Sequence, residues 1–152
     1  PARRDFPGID SYPTAPDWRI EADWHPLETP QDLDIDLVTG ARDRVRITHE
    51  ARFTHDGQPI TLLPTHEKSG KPMFVIRDKT AGAETYGAAR FLIGEVQGDK
   101  VVLDFNRAFN PPCAFTPFAT CPLPPPENRL DLAIEAGERD YIKPPTTHKD
   151  TP

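Results

Sequence analysis

The residues best suited to chemistry are concentrated in one short stretch of the sequence. It contains a carboxylate, two amides, a guanidinium and a thiol, supplied by Asp104, Asn106, Asn110, Arg107 and Cys113. A carboxylate can act as a general base, a guanidinium can hold an anion through paired hydrogen bonds, and a thiolate can act as a nucleophile. The stretch therefore predicts a polar functional site.

A second guanidinium reaches the same place if the preceding hairpin pairs as its sequence suggests. Alternating apolar and polar residues predict strands over 89–96 and 100–106, joined by a three-residue turn. In this register Arg90 lies opposite Asn106 and diagonal to Asp104, which would stay ionised and orient the guanidinium. The core-face pairs of the same register are Phe91 with Phe105 and Ile93 with Leu103.

Three functions fit these residues. A small polar or anionic molecule could bind where the strand meets the following loop, with Arg90 and Arg107 holding its charge. A hydrolase or transferase could use Asp104 as general base or Cys113 as nucleophile. The polar side chains could instead satisfy the backbone of the loop in a structural or interaction domain. The hydroxyl of Tyr86, in a polar loop, could join the site or hold a turn.

The two cysteines, Cys113 and Cys121, leave four alternatives open. They could be reduced and buried, which we favour, or form a disulfide that closes the loop between them. Nearby guanidiniums could lower the pKa of the Cys113 thiol, although the motif has no histidine to act as a base. The pair could also bind a metal, although a spacing of eight fits no zinc-knuckle pattern.

The histidines offer a weaker candidate site, one that would bind a metal. If the strands around residue 57 pair in register, His66 lies diagonal to His49, and His25 could complete a metal site. Hydrogen-bonded core or rim histidines explain the same pattern more simply. The sequence also lacks the glycine-rich phosphate and dinucleotide motifs and the serine-hydrolase and zinc-protease motifs. We therefore predict no metal and no cofactor.

Proline distribution divides the chain. Of 152 residues 19 are proline, and seven of these lie between residues 111 and 126. Proline lacks the N–H that a central strand donates, so 111–126 is predicted to be a long irregular loop, and its aromatic and thiol side chains favour an ordered one. Residues 1–17 are predicted to be an irregular lead-in and residues 143–152 a polar tail.

Between these segments the pattern is that of strands. Period-two alternation dominates residues 31–106. A three-residue loop at 39–41 would set Asp36 against Arg44 and Asp34 against Arg46, and we interpret these alternating charges as a solvated face. Further hairpin turns are predicted at Asp56-Gly57, which pairs Phe53 with Ile60, and at Ser69-Gly70.

Additional strands near Arg19–Trp24 and Leu130–Ile134 bring the total to about eight, with turn signals at the spacing of β-sandwiches and small barrels. The prediction is an all-β fold, an antiparallel sandwich or small barrel built from hairpins. The hydrophobic fraction of 36% suits one core at this length, so we predict a single domain over 1–152.

Composition excludes some classes of partner. The chain has 18 basic and 24 acidic residues and a net charge of −6, without the clustered positive field of nucleic-acid-binding proteins. No apolar run approaches the ~18 residues that a membrane-spanning helix needs. We therefore expect no nucleic-acid partner, no membrane partner and a cytoplasmic location, with the true N-terminus out of view because the chain begins at Pro1.

The motif D-F-N-R-A-F-N-P-P-C at 104–113, followed by C-P-L-P-P-P-E-N-R-L at 121–130, closely resembles a widespread prokaryotic family of unknown function. Segments 78–86 and 90–92 resemble upstream motifs of the same family. The resemblance implies no activity, substrate or cofactor. The opening segment 4–8 resembles a point well inside longer members, which implies a C-terminal domain whose partner could be an N-terminal domain of the same protein.

Overall fold

A computed structural model describes residues 9–115 and 120–141. In these ranges the chain forms ten β-strands and four short 3-10 helices, and it contains no α-helix. The strands are β1 (Ile9–Ser11), β2 (Arg19–Asp36), β3 (Arg42–His55), β4 (Gln58–Leu62), β5 (His66–Lys68), β6 (Lys71–Ile76), β7 (Arg90–Ile93), β8 (Glu95–Gln97), β9 (Lys100–Asp104) and β10 (Glu138–Tyr141).

The strands form three open antiparallel sheets. Their orders are β4-β3-β2-β9-β8, β5-β6-β7 and β1-β10. The prediction of an all-β antiparallel fold is confirmed, and the open sheets favour the sandwich alternative. Across the described residues, no helix has the length and apolar character that crossing a bilayer requires.

The main core lies between the five-stranded and three-stranded sheets. Period-two alternation turns every second side chain of a strand to the same face, and burying the apolar faces of the two sheets against each other removes them from water. The fully buried members include Ala22, Leu62 and Leu103 on one side and Phe74 and Leu92 on the other.

The β2–β3 hairpin pairs two residues away from the predicted register. Asp36 lies opposite Arg42 and Asp34 opposite Arg44, because the turn is centred one residue earlier than predicted, with the N–H of Leu37 donating to the carbonyl of Ala41 at 2.9 Å. A shift of two preserves which side chains share a face. The acidic and basic side chains therefore still pair on an exposed face, as interpreted from the sequence.

The turns at Asp56-Gly57 and Ser69-Gly70 are confirmed. All four residues have positive φ, between 49° and 79°, which is the conformation of a two-residue type I′ turn. Phe53 accordingly pairs with Ile60 as predicted.

The predicted hairpin over 89–106 is wrong. Its first strand divides at Gly94: β7 pairs with β6 in one sheet, and β8 pairs with β9 in the other. A Cβ at Gly94 would lie 2.8 Å from a methyl carbon of Val101 and 3.1 Å from the ring of Phe74, so only glycine fits where the chain passes between the sheets. The observed register, Val96 opposite Val101, excludes the predicted core-face pairs.

Both ends of the described chain also differ from prediction. No strand forms over 130–134. The backbone N–H of Ile134 donates to the carboxylate of Asp78 and not to a neighbouring strand. The last strand is β10, and it pairs with β1, which lies inside the predicted irregular lead-in. Residues 1–8 and the predicted polar tail lie outside the described residues.

Candidate functional site

Arg90 is a buried structural residue and does not pair with Asp104. It is 1% exposed, and one terminal nitrogen lies 3.3 Å from a carboxylate oxygen of Asp78. It also donates to the backbone carbonyls of Ile134, Ala136 and Glu138, at 3.0, 2.5 and 3.3 Å. The predicted Asp104 partner is wrong because β7 and β9 belong to different sheets.

Asp78 completes this network from the residues that follow β6. Its carboxylate accepts hydrogen bonds from the hydroxyl of Thr80 at 2.9 and 3.0 Å and from the backbone N–H of Ile134 at 2.6 Å. Burial lowers the pKa of the Arg90 guanidinium, and the negative charge of Asp78 opposes that shift. The pair holds the irregular segment before β10 against β7.

Two asparagines hold distant backbone segments in the same way. The side chain of Asn106 accepts from the N–H of Ala15 at 2.8 Å and donates to its carbonyl at 2.9 Å. Asn128 is fully buried and makes the same double contact with Leu63, at 2.8 Å for both bonds. The polar side chains of Arg90 and both asparagines therefore satisfy backbone groups of distant segments.

Asp104 caps the 3-10 helix Phe105–Arg107. One carboxylate oxygen accepts from the backbone N–H of Asn106 at 3.1 Å and from its side-chain amide at 3.0 Å. A cap of this kind satisfies an N–H that a short helix leaves without a partner. Asp104 therefore helps to fix the backbone of the short helix that ends at Arg107.

Asn110 and Tyr86 contact backbone near the proline-rich stretch. The amide of Asn110 donates to the carbonyl of Arg139 at 2.9 Å, and its backbone N–H donates to the carboxylate of Glu138 at 2.8 Å. The hydroxyl of Tyr86 donates to the carbonyl of Cys113 at 3.3 Å.

Cys113 and Cys121 form a disulfide, so the favoured reduced state is wrong. The bond closes the proline-rich stretch, whose described parts hold a 3-10 helix at Pro112–Ala114 and one bridge between Pro122 and Leu37. Catalysis by a Cys113 thiolate would first require reduction, whereas catalysis by Asp104 stays a prediction. Disulfides persist mainly in oxidising compartments, and the cytoplasmic location also stays a prediction.

The alternative histidine cluster does not form among the described residues. His66 pairs with Met73 in β5–β6, whereas His49 lies on β3 in another sheet and stacks on Trp24 with ring centroids 4.9 Å apart. His25 lies opposite Glu50. The described part of the chain contains no group of three metal-ligating side chains.

A first cleft is lined mainly by residues of β2, β8 and β9 and of the β5–β6 turn. We call it the cationic cleft. Its volume is about 460 Å³, and its charged lining residues are Arg19, Lys68, Lys71, Arg107, Glu95 and Asp104. Lys71 pairs with Glu95, and Arg19 lies 3.9 Å from Glu21. Within the described ranges, Lys68 and Arg107 have no carboxylate within ion-pair distance.

The second cleft, which we call the apolar cleft, adjoins the first. Its volume is about 580 Å³, and Lys68 and Phe109 line both. Its main apolar lining residues are Met73, Phe91, Phe109, Pro112 and Phe115. The rings of Phe91 and Phe109 meet edge to face with centroids 5.7 Å apart, and paired backbone hydrogen bonds of 2.8 and 2.9 Å join the two residues.

Comparison with known proteins identifies the family. The family model described as protein of unknown function, DUF1684, matches residues 4–139. The chain belongs to this family. It is also similar to a solved structure, an uncharacterized protein of Haloarcula marismortui, at 33% identity and a TM-score of 0.69; the match covers 90% of this chain and 78% of the other. A search of the curated proteins finds no match.

In this DUF1684 domain the predicted site residues separate into two groups. Asp104 and Arg107 line the cationic cleft and Asn110 lines the apolar cleft. Arg90, Asn106, Tyr86 and Cys113 lie outside the lining of both clefts. The position of the chain at the C-terminal end of a longer DUF1684 protein stays a prediction.

Sequence reasoning missed the other cations of the cleft, Arg19, Lys68 and Lys71. The two lysines flank the turn at Ser69-Gly70, which was recognised as a turn, and Arg19 begins a recognised strand. A pattern within one hairpin cannot show that this turn lies over the face of another sheet. Sequence reasoning likewise gave Asp78 no role beyond its place in the segment 78–86.

Proposed function

We propose that this domain binds a small anionic molecule in the cationic cleft. The observation that supports the proposal is that the basic residues of the lining come from separate parts of the chain. Arg19, Lys68, Lys71 and Arg107 come from four separate elements and converge on one concave surface. Convergence of like charges is unfavourable without a counter-charge, so it favours an anion between them.

The charge of the lining contrasts with that of the whole chain. Four basic side chains face two carboxylates in the cleft, whereas the chain as a whole has a net charge of −6. Because Glu95 pairs with Lys71 and Glu21 lies 3.9 Å from Arg19, the available positive charge is mainly that of Lys68 and Arg107. An excess of positive charge in a concave surface raises the local concentration of anions.

Asp104 restricts the ligand. Its carboxylate lies on the cleft wall and would repel a ligand that carries several negative charges. A carboxylate with a single charge satisfies Arg107, which can donate two parallel hydrogen bonds to it, with less repulsion. The proposed ligand is therefore a monocarboxylate.

The test is an NMR titration of the full chain with sodium acetate at pH 7 and constant ionic strength. We expect saturable shifts of the Lys68 and Arg107 amide signals. Arg107→Gln should weaken acetate binding by about tenfold, the loss of one charge-assisted hydrogen bond. Arg46→Gln is the matched control, because Arg46 pairs with Asp32 on the exposed hairpin. Shifts that do not saturate, or equal affinities in the two variants, would refute the proposal.

A further inference from the structure

The lining of the apolar cleft is mainly apolar, and its charged lining residues are Glu67 and Lys68. Its lining includes Met73 and Phe91, which are almost fully buried, and Phe115, which is 43% exposed. The partly buried Phe109 packs beside Phe91, so three aromatic rings line one depression. Concave apolar surfaces rimmed by a few polar groups are typical of ligand-binding sites.

The two clefts are adjacent at Lys68 and Phe109. A lysine side chain has an apolar stem and a charged end, so Lys68 can contact an apolar group with one part and an anion with the other. Phe109 gives each cleft a part of its aromatic surface. A molecule with a charged end and an apolar end could therefore occupy both clefts at once.

The backbone around Lys68 and Phe109, where the two clefts meet, is held in place by hydrogen bonds and by the disulfide. The β5–β6 turn positions Lys68, and the bridge between Phe91 and Phe109 positions the aromatic pair. The disulfide ties the 3-10 helix at Pro112–Ala114, which Phe115 directly follows, to Cys121. Preorganised walls reduce the ordering that a ligand must impose when it binds.

We infer that the ligand is an amphipathic monocarboxylate, whose carboxylate lies among the basic side chains and whose hydrocarbon or aromatic body covers Phe91, Phe109 and Phe115. This inference rests on the proposed function and adds the apolar part of the ligand. Each methylene that enters the apolar cleft should increase affinity by up to about fourfold, equivalent to about 0.8 kcal/mol.

The experiment is a titration of the full chain with acetate, butyrate, hexanoate and octanoate below their micelle concentrations, followed through the Lys68 and Phe109 amide signals. Affinity should rise at least twofold per added methylene from butyrate to octanoate. Octanol, which has the same chain without the charge, should bind at least about tenfold more weakly than octanoate, which has a charge-assisted contact.

Two variants divide the roles of the clefts. Phe115→Ala should reduce the gain in affinity per methylene without changing the affinity for acetate. The Phe115 ring is substantially exposed, so this is not a substitution in the core. Val96→Ala, which removes a similarly exposed apolar side chain outside both linings, should behave as wild type. Arg107→Gln should weaken every acid by the same factor. Circular dichroism confirms that each variant is folded.

The possible failures are distinguishable. If acetate binds in an Arg107-dependent way and affinity does not rise with chain length, the inference is refuted and the proposed function stands. If no acid binds, both are refuted. If octanol binds as well as octanoate and Arg107→Gln has no effect, the clefts bind apolar molecules whether or not they carry a charge. That result also refutes both the inference and the proposed function.

Discussion

The buried pair of Arg90 and Asp78 makes Asp78→Asn the most informative stability test. The substitution preserves shape but removes the negative charge, and it replaces an accepting oxygen with an amide that donates. Both carboxylate oxygens already accept hydrogen bonds, so the new amide would meet another donor. The Arg90 guanidinium would remain buried without the carboxylate that pairs with it.

The burial of the pair and its other hydrogen bonds determine how much stability the substitution should cost. Both side chains are 2% exposed, and removing one partner of a buried ion pair costs about 3–5 kcal/mol. Arg90 keeps its three carbonyl acceptors, which places the expected loss near the lower limit, about 3 kcal/mol. For a chain of 152 residues this corresponds to a decrease in Tm of about 6–12 °C.

Urea denaturation at pH 7 measures the loss. The matched control is Asp131→Asn, in which an exposed carboxylate loses an ion pair of 3.3 Å with Lys79. That change should cost less than about 0.5 kcal/mol, because exposed pairs contribute little. If Asp78→Asn costs under about 1 kcal/mol, the buried charge is compensated in some other way and the reasoning is wrong.

A second variant tests the carbonyl contacts. Adding Arg90→Met to Asp78→Asn removes the unpaired charge, and in an otherwise apolar site this exchange would restore stability. Here the carbonyls of Ile134 and Ala136 would lose their donor, so the double variant should remain at least about 2 kcal/mol less stable than wild type. A double variant as stable as wild type would show that Arg90 serves only to neutralise Asp78.

Three further predictions concern the backbone, alkaline pH and the disulfide. Gly137→Ala should cost about 1–3 kcal/mol more than Gly98→Ala in urea denaturation. Both glycines have positive φ, but a Cβ at Gly137 would lie 2.7 and 2.8 Å from two carbonyl oxygens, whereas the space at Gly98 is open. Burial, followed by a hydrogen bond to Glu84, raises the pKa of Tyr12 to about 12. Because the folded-state pKa lies above the unfolded value of about 10, this contribution to stability is complete below pH 10 and is lost between pH 10 and 12. Tyr12→Phe, which cannot ionise, should therefore gain stability relative to wild type as the pH rises from 10 to 12. Reducing the disulfide, which joins cysteines eight residues apart, should lower the free energy of unfolding by about 2.5 kcal/mol on the chain-entropy estimate.

Each of these predictions has a defined contrary result. Equal losses for the two glycine variants would show that the backbone around Gly137 relaxes around a methyl group. A constant difference between wild type and Tyr12→Phe from pH 8 to 12 would mean that the phenol titrates normally. For the disulfide, an unchanged urea midpoint in dithiothreitol, with reduction verified by mass, would exclude a stabilising role.

The sequence by itself determined the class of the fold and its local turns. Period-two alternation and the dipeptides Asp56-Gly57 and Ser69-Gly70 are local signals, because side-chain alternation and positive φ depend on a few neighbouring residues. Those predictions held. The prediction of which side chains share a face of the β2–β3 hairpin was also correct. The register differs by two residues, and a shift of two preserves the alternation of side chains.

Only the tertiary structure decided what the polar residues of the motif do. Arg90 was assigned to Asp104 because an unbroken hairpin would bring them together, but the chain changes sheets at Gly94 and Arg90 meets Asp78 instead. The cationic cleft likewise joins Lys68 and Arg107 from distant parts of the sequence. Contacts between sheets depend on how their faces pack, and no periodicity within one strand encodes that arrangement.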